Sequence, residues 1–115
     1  MSTALRALDE LDQTIAARVS HPDRASYTSQ LLTGGAAVIG AKIAEEAAEV
    51  VEAAGEAGDA GREHLIREAA DLVYHMLVML RLRDCSLTDV ADELDRRSGM
   101  SGLEEKAGRT NPSAS

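Results

Sequence analysis

The sequence has no phenylalanine, no tryptophan and only two tyrosines among 115 residues. A buried core must therefore be assembled from Leu, Ile, Val, Met and Ala, which suits closely packed helices better than a sheet built on aromatic and β-branched cross-strand pairs. A single cysteine, Cys85, excludes an intrachain disulfide, and nothing marks an oxidising compartment. Long apolar runs are missing too. The longest, "LVYHMLVML", reaches only half of the roughly 18 residues expected of a membrane span. The opening "MSTALRALDELDQ" carries acids where a secretory signal would place a basic and then an apolar stretch. Basic residues are scarce as well. The formal net charge is -8, with 12 Lys and Arg against 20 Asp and Glu, which argues against a nucleic-acid backbone as the main partner. These absences describe an all-α cytoplasmic protein of one domain, without a nucleic-acid or membrane partner. An anionic ligand would have to be held through a cation.

The apolar spacing predicts four helices. Leu5, Leu8, Leu11, Ile15 and Val19 recur at helical intervals, with Ser2 or Thr3 as N-cap and "HPD" closing the segment. "RASYTSQLLTGG" reads as a polar connection with one short helical turn before Gly34 and Gly35, and a second helix is expected from 36 to 54. "GEAGDAG" is a glycine-rich connection, followed by a long helix over 62–83. A capping box of Ser86 and Asp89 opens a short helix over 87–97. The domain is expected to span 1–100, with residues 101–115, rich in Gly, Ser and charge, as a flexible tail.

In "KIAEEAAEVVEAAGEAG", residues 42–58, five glutamates stand among small apolar residues with one lysine. Like charges three and four residues apart on a helix repel by a few tenths of a kcal/mol per pair, so something must offset them. On a helical projection Lys42, Glu45, Glu46, Glu49 and Glu52 share an arc of about 120°, opposite Ile39, Ile43, Ala47, Val50, Val51 and Ala54. A solvated face would explain that much. The third helix adds more, because "REAADLVYHMLVMLRL" is apolar almost all round yet holds Glu68 and Asp71 beside His75. Its solvent side is expected near Glu63, Arg67, Tyr74 and Arg81. A carboxylate among apolar neighbours must be protonated, ion-paired or bound to metal. If the two helices pack as an antiparallel hairpin, Glu46 and Glu49 face Glu68 and Asp71, and both pairs have the i, i+3 spacing that points two carboxylates one way. Four converging oxygen donors match Mg²⁺ or Mn²⁺ rather than zinc.

"EAAE" at 46–49 followed by "EAAD" at 68–71 resembles the paired acidic motifs of the all-α NTP pyrophosphatase superfamily. Within it, "SYTSQLLTGG" at 26–35, "KIAEEAAEVVEAA" at 42–54, "EAADLVYHMLVML" at 68–80 and "SLTDVADELDRR" at 86–97 look like the phosphoribosyl-ATP pyrophosphatase family, in its order and spacing. The resemblance covers roughly residues 4–109. It implies a homodimer and Mg²⁺-dependent hydrolysis of phosphoribosyl-ATP to phosphoribosyl-AMP and pyrophosphate in histidine biosynthesis. Carried over by position, Glu46, Glu49, Glu68 and Asp71 hold the metal and Lys42 faces the phosphates. Glu45 or Glu49 takes the proton of the attacking water. Tyr27 and Thr28 match the N-terminal motif and are candidate substrate contacts, though a helix-starting turn explains them equally well. Ala44 stands where the family commonly has Gly, a change that suits a helix.

His75 reads as a packed, hydrogen-bonded core histidine in preference to a ligand or base, and His64 as a surface residue. Cys85 lacks the electropositive surroundings of a nucleophile. Two rivals remain open. One keeps the chemistry but acts on damaged or surplus nucleoside triphosphates, and the other is a metal-stabilised helical interaction module with no catalysis.

Overall fold

The computed structural model describes residues 2–98; the expected flexible tail over 101–115 lies outside the described residues. Those residues form α1 (Thr3–Ser20), α2 (Tyr27–Ala54), α3 (Gly58–Leu82) and α4 (Leu87–Arg97), with no strand among them. The all-α expectation is met. No helix of the described residues is long and apolar enough to cross a membrane.

Local chemistry sets most of the helix ends. Ser2 caps α1 by accepting from the Leu5 amide at 3.2 Å. Ser86 and Asp89 form the full capping box of α4: the Ser86 side chain accepts from the Asp89 amide at 3.1 Å, and the Asp89 carboxylate accepts from the Ser86 amide at 2.8 Å. Ser26 caps α2, so the helix-starting role of that motif is real. α2 therefore begins at Tyr27, well before the expected residue 36, and it is two helical arms joined at Gly35. Gly35 has φ 75° and ψ -166°, a backbone region essentially closed to residues with a Cβ. α3 likewise starts earlier than expected, at Gly58, which takes φ 77°.

α2 and α3 make the dominant contact of the fold, and α1 packs across both. The core is small and aliphatic. Ile15 from α1, Leu31 and Ile39 from the two arms of α2, and Leu77 and Val78 from α3 are buried together, with Leu11, Ile43, Tyr74 and Leu87 packed around them. Ala53, also buried, lets the ends of α2 and α3 approach.

Two features correct the helical projection. Arg81, expected on the solvent side of α3, is folded inward. Its Nε and Nη2 donate to Oδ1 and Oδ2 of Asp12 at 3.0 and 2.8 Å, and the Asp12 side chain is only 3% exposed. Asp12 Oδ2 also accepts from the Leu87 amide at 3.0 Å, which satisfies an orphan donor at the start of α4. Tyr74 is likewise half-buried, stacked on Tyr27 with ring centroids 6.2 Å apart and hydrogen-bonded to Thr28. The exposed apolar residues of α3 are instead Ile66, Val73 and Met76, which a projection of one helix cannot separate from the core side.

Candidate active site

Along α2, Lys42, Glu45, Glu46 and Glu49 occupy consecutive turns, and α3 brings Glu68, Asp71 and His75 to the same helix pair. Across the hairpin the Glu49 carboxyl has a hydrogen-bonding neighbour in Glu68. That hydrogen bond and the negative charge of Glu68 hold the Glu49 carboxyl above the usual carboxylate range, with some burial adding to the shift; His64 and Lys42 pull the other way.

Glu46 is one turn back and 92% buried by its 8% exposure. Its Oε2 accepts from Nδ1 of His75 at 2.7 Å, and that nitrogen is also 2.9 Å from the Asp71 carbonyl oxygen. Nε2 of His75 is 3.0 Å from the Tyr27 hydroxyl. His75 is therefore the packed, hydrogen-bonded histidine that the sequence indicated, 5% exposed. Asp71, expected within an apolar face, is exposed, as is Glu45, while Lys42 is half-buried. His64 is only partly on the surface. Its Nδ1 lies 3.0 Å from Glu56 Oε1 and its Nε2 3.5 Å from Glu68, and the bond to Glu56 raises its pKa above the ordinary histidine value.

Of the four carboxylates expected to converge, the structure brings Glu49 and Glu68 together. Among the described residues no three His, Cys, Asp or Glu side chains stand as a ready-made metal cage. Glu46 is turned to His75, and Asp71 reaches the same histidine through its backbone. The donor chemistry nevertheless fits a hard divalent cation: the groups are carboxylates, and the charge of Glu68 acts on Glu49 in a way that a cation would offset. Tyr27 and Thr28 point their hydroxyls at His75 and Tyr74, which places them at the edge of the same helix pair.

The link from Tyr27 through His75 to Glu46 was not legible in the sequence. A straight helix from Tyr27 to Glu46 would span about 28 Å. The bend at Gly35 brings both residues onto one imidazole, and the only sequence signal of it is the pair Gly34–Gly35.

Comparison with known proteins identifies the family. Residues 8–98 match the family model described as phosphoribosyl-ATP pyrophosphohydrolase. A phosphoribosyl-ATP pyrophosphatase of Rhodopirellula baltica is 50% identical over 109 residues, covering 95% of this chain and 91% of the relative. Proteins of the same name from Paracoccus denitrificans and Erythrobacter litoralis are 51% and 45% identical, covering 89% and 91% of this chain and 92% and 98% of their own lengths. The carboxylate pair that bridges α2 and α3 thus stands in a chain that belongs to the phosphoribosyl-ATP pyrophosphohydrolase family.

Proposed function

We propose that this protein hydrolyses phosphoribosyl-ATP to phosphoribosyl-AMP and pyrophosphate in histidine biosynthesis, as a cytoplasmic Mg²⁺-dependent homodimer. The observation that carries the reading is the family match over residues 8–98, within which Glu49 and Glu68 face each other across the α2–α3 hairpin. Glu46, Glu49, Glu68 and Asp71 would hold Mg²⁺, with Mn²⁺ as its substitute. When bound, such a cation screens phosphate charge, polarises the phosphoryl group and makes a water easier to deprotonate.

The remaining work falls to the side chains. Lys42, close enough to act on the Glu49 charge, presents an ammonium to the phosphates from the helix that carries the acids. Glu49 and the exposed Glu45 are the two carboxylates placed to take a proton from the attacking water. Tyr27 and Thr28 border the nucleoside end. Carboxylates on two facing helices would hold the cation, and its charge would stabilise pyrophosphate as the leaving group.

Dimerisation is supported by apolar surface left open on one chain. Ile66, Val73 and Met76 lie on one side of α3, 52%, 39% and 48% exposed, and Val73 continues into a cleft of about 300 Å³ formed with Leu8 and Leu11 of α1. An aliphatic core without Phe or Trp gains from burying this strip against a second copy. A well-folded monomer in sedimentation at micromolar concentration would refute that part.

Incubation with phosphoribosyl-ATP and with ATP, with and without Mg²⁺, followed by phosphorus NMR, tests the whole reading. Pyrophosphate and the monophosphate are expected, with phosphoribosyl-ATP preferred. Orthophosphate as first product would refute the bond assignment. Equal efficiency on ATP would favour a pyrophosphatase of general nucleoside triphosphates.

A further inference from the structure

His75 stands where the two arms of α2 meet α3, and its hydrogen bonds settle which nitrogen carries the proton. Nδ1 lies 2.7 Å from Glu46 Oε2 and 2.9 Å from the Asp71 carbonyl oxygen. A backbone carbonyl can only accept, and an ionised carboxylate also only accepts, so Nδ1 is the protonated nitrogen. In the neutral ring Nε2 then offers a lone pair, and the Tyr27 hydroxyl at 3.0 Å donates to it. The imidazole cannot easily exchange these partners. It is 5% exposed and held edge-on by Tyr27 and Tyr74, with centroids 5.9 and 5.0 Å away and interplanar angles of 89° and 80°. No buried side-chain nitrogen or oxygen among the described residues lacks a hydrogen-bond partner, so the link from Tyr27 through His75 to Glu46 is complete.

From this geometry we infer that His75 is a positioning residue for the Glu46 carboxylate: Nδ1–H fixes Oε2 and leaves Oε1 for the cation, while Tyr27 locks the tautomer from the other side of the Gly35 bend. The inference rests on the reading of Glu46 as a metal ligand. A carboxylate already held by a donor loses less freedom when it binds an ion, and its donor sets which oxygen is presented. Tyr27 reaches His75 because α2 folds back at Gly35, so the arm before the bend acts on the site through the ring and needs no contact with the cation.

The test uses the full chain and Mn²⁺ alone, with free ion followed by electron paramagnetic resonance. His75→Leu is expected to weaken Mn²⁺ binding about 10- to 100-fold, the usual effect of losing an outer partner of a metal ligand. His75→Asn, whose amide N–H can take the place of Nδ1–H, should recover most of that loss. Tyr27→Phe keeps the ring stack and removes only the lock, so it should give a smaller loss, and it decides the matter if His75→Leu does not fold. In turnover the Mg²⁺ concentration for half-maximal rate should rise in each weakened variant, and in His75→Leu, which alters no residue placed at the nucleotide, KM for the nucleotide should stay put. Nitrogen-15 spectra of the metal-free wild type should show the Nδ1–H tautomer.

An Nε2–H tautomer, a folded His75→Leu with wild-type Mn²⁺ affinity, or a Tyr27→Phe indistinguishable from wild type when His75→Leu is unfolded would overturn the inference. Glu49→Gln separates it from the metal reading beneath it. Mn²⁺ binding that is lost in Glu49→Gln but indifferent to His75→Leu overturns the positioning role alone, whereas a wild type that binds no Mn²⁺ overturns both.

Discussion

Asp12 with Arg81 and Glu49 with Glu68 are both charged pairs that bridge two helices, built on opposite rules. Asp12 and Arg81 are of opposite sign, bidentate and almost dry, and the carboxylate has a third donor in the Leu87 amide. Asp12 in turn holds the Arg81 guanidinium above its usual pKa. Every requirement of that pair is met within the chain. Glu49 and Glu68 are of the same sign, and among the described residues only Lys42 and His64, the latter 3.5 Å from Glu68, act against that repulsion. The first pair closes the fold, and the second is the one the proposed cation would complete. Charged contacts between helices therefore mark function when the chain itself does not satisfy them.

The sharpest way to break this comparison is to remove one member of each pair. Glu49→Ala should abolish hydrolysis at saturating Mg²⁺ while the metal-free melting temperature holds or rises, because a repelling group is gone. Near wild-type turnover in that variant would sink the proposed site. Asp12→Ala should do the reverse. Removing one partner of a buried pair costs about 3–5 kcal/mol, and urea denaturation should show a loss of that size with turnover per folded molecule retained. A loss below about 1 kcal/mol would mean that the pair is not structural.

Gly35→Ala sharpens the contrast from the backbone. A Cβ there would meet nothing within 4 Å, so the entire effect must come from the left-handed φ of 75°. A loss of about 1–3 kcal/mol is expected, and hydrolysis should fall with it because Tyr27 can no longer reach His75. Unchanged stability would show that the bend does not depend on glycine.

The smallest effect expected is a pH dependence. A carboxyl whose folded pKa is raised contributes stability below its unfolded value, and that contribution is lost as pH rises through the folded value. Metal-free Glu49→Gln should therefore melt above the wild type at neutral pH, and the gap should close as pH falls below the ordinary glutamate value of 4.5. A gap that widens on acidification would contradict the raised pKa of Glu49.

Features set by neighbouring residues were readable in advance. The α4 capping box, the Ser2 cap and the facing of Glu49 towards Glu68 all follow from spacings of a few residues and a short hairpin. Features set by distant residues were not. Asp12 and Arg81 are 69 positions apart, and nothing in "LDELDQ" separates Asp12 from its exposed neighbours. On the wheel of α3, Tyr74 and Arg81 shared an arc with Glu63 and Arg67, and only α1 and the first arm of α2 decide which of those four are covered. Asp71 failed along the helix and not around it: Leu72, Val78, Met79 and Leu82, which bracket it on the wheel, are buried or half-buried while Asp71 itself is exposed.

The clasp of Asp12 has a consequence for time as well as for energy. α2 and α3 are joined by residues 55–57 alone and can zip from their connection, whereas the Asp12 bonds to Arg81 and Leu87 close loops of 69 and 75 residues. Closing such loops is an entropic cost met late in folding, after the hairpin exists. Interactions that form after the transition state govern how fast a protein comes apart rather than how fast it forms. Stopped-flow measurements should therefore find that Asp12→Ala speeds unfolding and leaves the refolding rate nearly unchanged, whereas Ala53→Gly, at the hairpin's closed end, should slow refolding. The lifetime of the folded enzyme would then be set by its first helix, which carries none of the proposed site residues.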